Sequence, residues 1–341
     1  MRIRRTPALA ASAAALLLLA ACGNGDGDNG DANGDVDADV EVGDEDDYVT
    51  DLTFGTGGTA GVYYPLGGEY AQIFEDNIEG ITVDAISTDA SVYNIGQINQ
   101  EDMQLGLAQS DTFISAVAGE GDFEGAEIDN VGWIAGLYPE AAHIVTVGDT
   151  GVESVEDLEG ASIAVGAPGS GTRAVSDAIL AAYGIEEGDY DAYEEEFADS
   201  QSLLQDGHID ASIFVVGTPT ASLNEMAATS DVMLISLDQD VADQIAGDTY
   251  FDTYEISSDA YDFLDEGVLT LSVSAAVLAS TTQVSEDLAY DMTAAIFEHA
   301  DQITLPQGDL ISHDDALLGI GDGPLHPGAE RYYEEHGVER P

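Results

Sequence analysis

The stretch Val165-Gly166-Ala167-Pro168-Gly169-Ser170-Gly171-Thr172-Arg173 follows a short apolar run, Ser162 to Val165, and opens an amphipathic segment. The chain carries the same design earlier, as Phe54-Gly55-Thr56-Gly57-Gly58-Thr59-Ala60-Gly61-Val62-Tyr63-Tyr64 after Asp51 to Phe54. Each reads as a strand, a loop of glycine and hydroxyl residues, and a helix. Glycine lets the backbone approach a ligand, the helix start presents unpaired N–H groups and the positive end of its dipole, and hydroxyls add adjustable donors. The expected product is an anion cradle, and in open α/β sheets such cradles lie at the carboxyl ends of strands. One loop of this kind also serves as a plain tight turn. Two of them, in different halves of the chain, predict one site closed from both sides.

Working outward, short apolar runs alternate with amphipathic segments, which predicts an α/β fold with mostly parallel strands. Ile81 to Ile86, Leu105 to Ala108, Ile144 to Val147 and Ile213 to Val216 read as strands, and Leu269 to Val277 as a late, long one. After Pro65, the spacing of Leu66, Tyr70, Ile73 and Phe74 predicts a helix with one buried face. Ser91 reads as a helix cap, and Trp133 as core.

The chain opens with Arg2, Arg4 and Arg5, then a short apolar run to Ala21, which reads as an export signal over residues 1–21. Leu19-Ala20-Ala21-Cys22 resembles a lipobox, with Cys22 the expected acylation site; a cleaved signal beside an incidental cysteine is the alternative. Cys22 is the single cysteine, so no disulfide forms within one chain. Residues 22–49 are mostly Gly, Asp, Asn, Glu, Ala and Val, an acidic tether unable to bury a core. Asp31 to Asp35 faintly resembles a calcium loop, but Val36 and Val42 stand where Gly and Glu are needed, so no metal is expected there.

Asp and Glu total 68 against 6 Lys and Arg, a net charge of −62, and there is no lysine. Such a surface repels nucleic acid and anionic lipid, which excludes basic-patch functions. Acid enrichment with lysine loss suits concentrated salt, where self-repulsion is screened, so a halophilic setting is inferred. With 44% hydrophobic residues the rest of the chain has a core to bury.

Arg173, beside the second loop, is one of three cationic side chains after the signal, with Arg331 and Arg340. Its guanidinium suits a bidentate grip on a carboxylate; a surface ion pair with one of the many acids is the alternative. Thr88, Ser91 and Ser110 also follow strands, though Ser91 and Asp111 equally suit helix capping. Tyr63 and Tyr64 offer stacking or hydrogen bonding, or simple packing. The histidines are scattered, and no Gly-x-Ser-x-Gly elbow, Cys/His pair or P-loop lysine occurs, so no catalysis, cofactor or metal is expected.

Gly55-Thr56-Gly57, Gly61, Tyr63-Tyr64-Pro65 and Gly67, then Asp157-Leu158, Gly160 and Gly166 through Arg173, form part of a longer collinear pattern. Gly207-His208-Ile209-Asp210-Ala211, Val216-Gly217-Thr218-Pro219 and His326-Pro327-Gly328-Ala329 with Arg331-Tyr332-Tyr333 complete it. From about residue 52 to the end the pattern resembles the TAXI-type solute receptors of TRAP transporters. The resemblance implies a two-lobe, type II periplasmic-binding-protein-like fold, with lobe one formed by residues 50–140 plus 238–341 and lobe two by 141–237. It implies a non-enzymatic, lipid-anchored extracytoplasmic receptor, expected as a monomer, that passes a small carboxylate such as glutamate or glutamine to TRAP membrane permease subunits. A chemosensory receptor of the same fold is the alternative. The expected ligand-binding set is Thr56, Gly57, Thr59, Tyr63, Thr88, Ser91, Ser110, Ser170, Thr172, Arg173 and Gly217. Where the family commonly has Thr-Gly-Gly-Ser, this chain has Thr88-Asp89-Ala90-Ser91. That weakens Thr88 and Ser91 as anion contacts and offers Asp89 to an amino group.

Overall fold

The structure is a computed structural model and describes residues 40–126, 128–148 and 150–341. The export signal, Cys22 and most of the acidic tether lie outside the described residues. The part of the tether that is described belongs to the folded body. Glu41 N–H donates to Asp129 O at 2.6 Å, Val49 N–H donates to Gln283 O at 3.0 Å, and Thr281 Oγ1 donates to Glu41 O.

The first half is a βαβαβ unit: β1 (Asp51–Gly55), α1 (Tyr63–Asn77), β2 (Thr82–Ile86), α2 (Ser91–Asn99) and β3 (Leu105–Gln109), followed by α3 (Ser110–Ala118). β1 lies between β2 and β3, parallel to both. Helix α1 buries Leu66, Tyr70, Ile73 and Phe74, the face predicted by their spacing. Ser91 is the first helical residue rather than a cap, and its Oγ accepts the N–H of Gln109 at 3.1 Å.

The chain then enters β4 (Val131–Val147), a 17-residue strand of which the sequence reading caught only the last four positions. Fifteen of its residues are buried, so both faces are covered and apolar alternation is lost.

A second unit repeats the first: β5 (Ser162–Ala164), α4 (Thr172–Ala182), β6 (Asp191–Tyr193), α5 (Phe197–Gln205) and β7 (Ala211–Gly217), with β5 parallel to and between β6 and β7. Next come α6 (Ala221–Ala227), β8 (Val232–Leu234), α7 (Gln239–Asp248), β9 (Asp252–Ile256), β10 (Val268–Ser280), α8 (Glu286–Glu298) and α9 (Pro327–His336). All strands join one mixed sheet in the order β2-β1-β3-β10-β4-β7-β5-β6, with β8 on β4 and β9 on β10. Strands β4 and β10 run antiparallel at its centre and link the two halves.

Two apolar clusters fill the molecule. The larger packs α1, α2, α8 and α9 on the first half-sheet around Phe54, Phe74, Phe113 and Trp133. The smaller gathers Val165, Ile179, Ile213 and Val215 on the second half. Ala242 and Ile245 of α7, and Leu271 and Val273 of β10, belong to this smaller cluster. The reading that returned the chain to lobe one at residue 238 therefore assigned α7 to the wrong core. The physical reason is long-range pairing: Leu237 N–H donates to Leu269 O at 2.8 Å, which fastens the segment to the start of β10.

Trp133 is fully buried against Phe113, with its indole N–H donating to Ala316 O at 3.0 Å. Trp133→Ala should cost about 3–5 kcal/mol through cavity formation. A urea titration followed by circular dichroism checks this, as a lower midpoint at unchanged slope.

Candidate functional site: a cleft between two loop and helix units

Because β1 and β5 both end in glycine-rich loops, the two βαβαβ units present these loops to each other. Between them lies a cleft with an empty volume of about 540 Å³, open solvent at its mouth included. Its first wall comes from Gly57, Gly58, Tyr63, Thr88 and Ser91, and its second from Ala167, Ser170, Gly171, Thr172 and Phe197. Helix α2 touches the second loop: Tyr93 N–H donates to Gly169 O at 3.1 Å, across the cleft. Gly169 sits at φ +88° and Gly166 at φ +101°, backbone shapes that side chains with a Cβ rarely adopt.

Three helices start at this cavity, α1 at Tyr63, α2 at Ser91 and α4 at Thr172. Among the described residues none of the three has a side-chain cap at its N-terminus. The same is true of α3, α5, α6 and α7, whereas α8 is capped by Ser285 Oγ and α9 by His326. The dipole ends of three helices therefore face the cavity, although Tyr93 N–H in the first turn of α2 is taken by Gly169 O and Pro65 in the first turn of α1 has no N–H. Asn94 holds this geometry in place, its Nδ2 donating to Thr56 O at 2.9 Å and Leu107 O at 2.7 Å, which ties the residue after β1 to the middle of β3.

Of the expected set, Gly57, Tyr63, Thr88, Ser91, Ser170 and Thr172 line the cavity. The others do not. Thr56 is buried and donates its hydroxyl to Ile86 O at 2.6 Å, a bond that ties β1 to the end of β2. Thr59 lies in a neighbouring groove rather than in the cavity. Ser110 Oγ accepts Ser274 N–H at 3.0 Å and locks α3 to β10. Gly217 gives room to the Tyr138 ring and Gln307.

Arg173 points away from the cavity. Its Nε lies 2.8 Å from Asp177 Oδ1, one helical turn on, and its Nη1 lies 2.6 Å from Glu194 Oε1. Its rarity in the chain suggested a ligand grip, but the pairing follows from an acid at i+4. Arg173→Ala should leave solute affinity unchanged and cost only some tenths of a kcal/mol in stability, as exposed pairs do. Calorimetric binding and a thermal melt of the variant measure both.

The residue missed by sequence reasoning is Glu140. It lines the cavity from β4 at 2% exposure, and Tyr63 Oη donates to its Oε2 at 2.6 Å. Burial pushes its carboxyl up to about 8, partly offset by the Tyr63 hydrogen bond and reinforced by the charge of Asp111. Asp111, also buried, is pushed up to about 7 by desolvation. The run Val131 to Val147 also holds His143 and Thr146, so nothing local in the sequence marked this acid.

A sheet of two doubly wound halves around such a cleft defines the periplasmic-binding-protein-like α/β class. The chain superposes on PhnD1 from Prochlorococcus marinus in complex with methylphosphonate with a TM-score of 0.53, at 11% identity, covering 85% of this chain and 99% of that one. It is also similar to the periplasmic aliphatic sulphonate binding protein SsuA from Escherichia coli, at 15% identity over 86% of this chain and 94% of that one, with a TM-score of 0.47. The alkanesulfonate-binding SsuA from Xanthomonas axonopodis pv. citri, bound to MOPS, matches at 14% identity over 86% and 85%, with a TM-score of 0.48. Residues 54–337 match the NMT1-like family, and the chain belongs to that family.

Proposed function

We propose that this protein is an extracytoplasmic solute-binding receptor. It closes two lobes over a small carboxylate-bearing metabolite of the glutamate and glutamine class, and delivers it to the membrane subunits of a TRAP transporter of the TAXI type. The observation that carries this reading is the meeting of three uncapped helix N-termini on one cavity between the lobes, an arrangement that suits a carboxylate without any cationic side chain. Membership of the NMT1-like family and the binding-protein fold support the receptor class. The collinear glycine and hydroxyl motifs support the TAXI assignment, and Leu19 to Cys22 supports a lipid anchor. Among the described residues no helix is long and apolar enough to cross a membrane.

Isothermal calorimetry of the full chain in molar salt against L-glutamate, L-glutamine and 2-oxoglutarate tests the reading. Saturable binding of at least one is expected; no heat with any of them or with other small carboxylates would overturn it.

A further inference from the structure

We propose that Glu140 forms a subsite for a protonated amine, so that the cleft selects an amino acid without net negative charge over a dicarboxylate. This rests on the receptor reading and deepens it.

The charges around the cavity are one-sided. Glu140, Asp89 and Glu196 line it, and the described lining includes no Arg, Lys or His. Glu140 is fixed by the Tyr63 hydroxyl, and beside it stand acceptors that lack a donor. Gln109 Oε1 and Asp111 Oδ1 are buried without a hydrogen-bond partner among the described residues, in residues only 4% exposed, and of the two only Gln109 lines the cavity. An unmatched buried acceptor carries a desolvation cost of roughly 1–3 kcal/mol, so Gln109 Oε1 on the same cavity wall as the Glu140 carboxyl calls for a donor-rich cation. An ammonium group brings three N–H donors and one positive charge. A metal ion is the poorer fit, since among the described residues no three His, Cys, Asp or Glu side chains gather as ligands.

The same cavity also takes in groups of the opposite character. The starts of α1, α2 and α4 bring backbone N–H groups and positive dipole ends, which suit one carboxylate. A zwitterion matches both kinds of group. A dianion would satisfy the helix starts with one carboxylate and bring the other near Glu140, Asp89 or Glu196.

The competing role for Glu140 is as a neutral acid that donates to an anion, and proton traffic separates the two. The titratable groups facing Glu140 are Tyr63 of α1, Asp111 of α3 and Tyr138 of its own strand; both tyrosines are pushed well up by burial and stay neutral. Burial holds Glu140 protonated below about pH 8 in the free cleft. An incoming ammonium must expel that proton, so binding releases protons and tightens from about pH 6 to about pH 8. A dicarboxylate needs the proton kept, so its binding weakens over the same range.

The test is calorimetry of the full chain with the standard L-amino acids, and with glutarate, succinate and 2-oxoglutarate, in buffers of different ionisation enthalpy. Expected are binding of a neutral amino acid with proton release, at least about 100-fold weaker binding of its desamino counterpart, and a similar loss in Glu140→Gln. Tyr63→Phe should give a smaller loss, because it frees Glu140 without removing its charge. Tighter binding of a dicarboxylate, or proton uptake on binding, would overturn the amine subsite and leave the receptor reading standing. Silence toward every compound would overturn both.

Discussion

Gly171→Ala is expected to fold as stably as the parent protein and to bind its solute about 10- to 100-fold more weakly, the equivalent of roughly 1–3 kcal/mol of overpacking. Gly171 has φ −68° and ψ −17°, a shape open to alanine, so its glycine is not there for backbone freedom. What requires it is the opposite wall. A Cβ at this position would fall within contact distance of Gln109 Oε1 and 2.6 Å from Thr112 Oγ1, both on the first half of the sheet. These neighbours belong to the opposite wall of the cleft, so the added methyl crowds the contact between the two walls. Gly171→Leu should deepen the loss. Paired thermal melts without solute and calorimetric titrations with it separate the effects; an equal fall in unliganded stability would show that the glycine serves folding instead.

The second large effect concerns acidity. Without solute, the protein should lose stability as the pH rises from about 5 to about 8, by the order of 3–5 kcal/mol per buried carboxyl. The sign follows from the direction of the shifts. Glu140 and Asp111 bind protons more tightly folded than unfolded, being pushed up to about 8 and about 7 by burial. Their contribution is complete below the ordinary carboxylate range and is lost as the pH climbs through the folded values. Glu140→Gln, which has no proton to lose, should flatten this slope and be more stable than the parent at about pH 8. Urea midpoints of both proteins across that pH range provide the measurement. An amine-bearing solute should reverse the trend, because it stabilises the ionised form.

How much of this was legible beforehand differs by feature. The two glycine and hydroxyl loops were readable because their chemistry is local: a strand, a turn that tolerates unusual φ, and a helix start all lie within about a dozen residues. Tyr63, Ser170 and Thr172 followed from that pattern. Glu140 did not, since one acid among 68 carries no mark of burial until the strand that holds it is known to be covered on both faces. Arg173 misled in the other direction. Scarcity of positive charge suggested a role at the site, while Asp177 at i+4 already offered an ordinary partner. Helix α7 was assigned to the wrong core because its neighbours, Leu269 to Val273, lie more than twenty residues along the chain, and pairing at that distance leaves no local trace.

Strands β4 and β10 each contribute one end to one half of the sheet and the other end to its companion. A cut near residue 140 would sever β4 in mid-strand and leave β3 in one fragment, and Ala275 to Ser280 of β10 in the other, with an unpaired rim of amides and carbonyls. Such rims template intermolecular strand addition, so the fragments should aggregate rather than fold alone. The two halves are thus obliged to assemble together, and domain-by-domain dissection of this protein is closed off by its own topology.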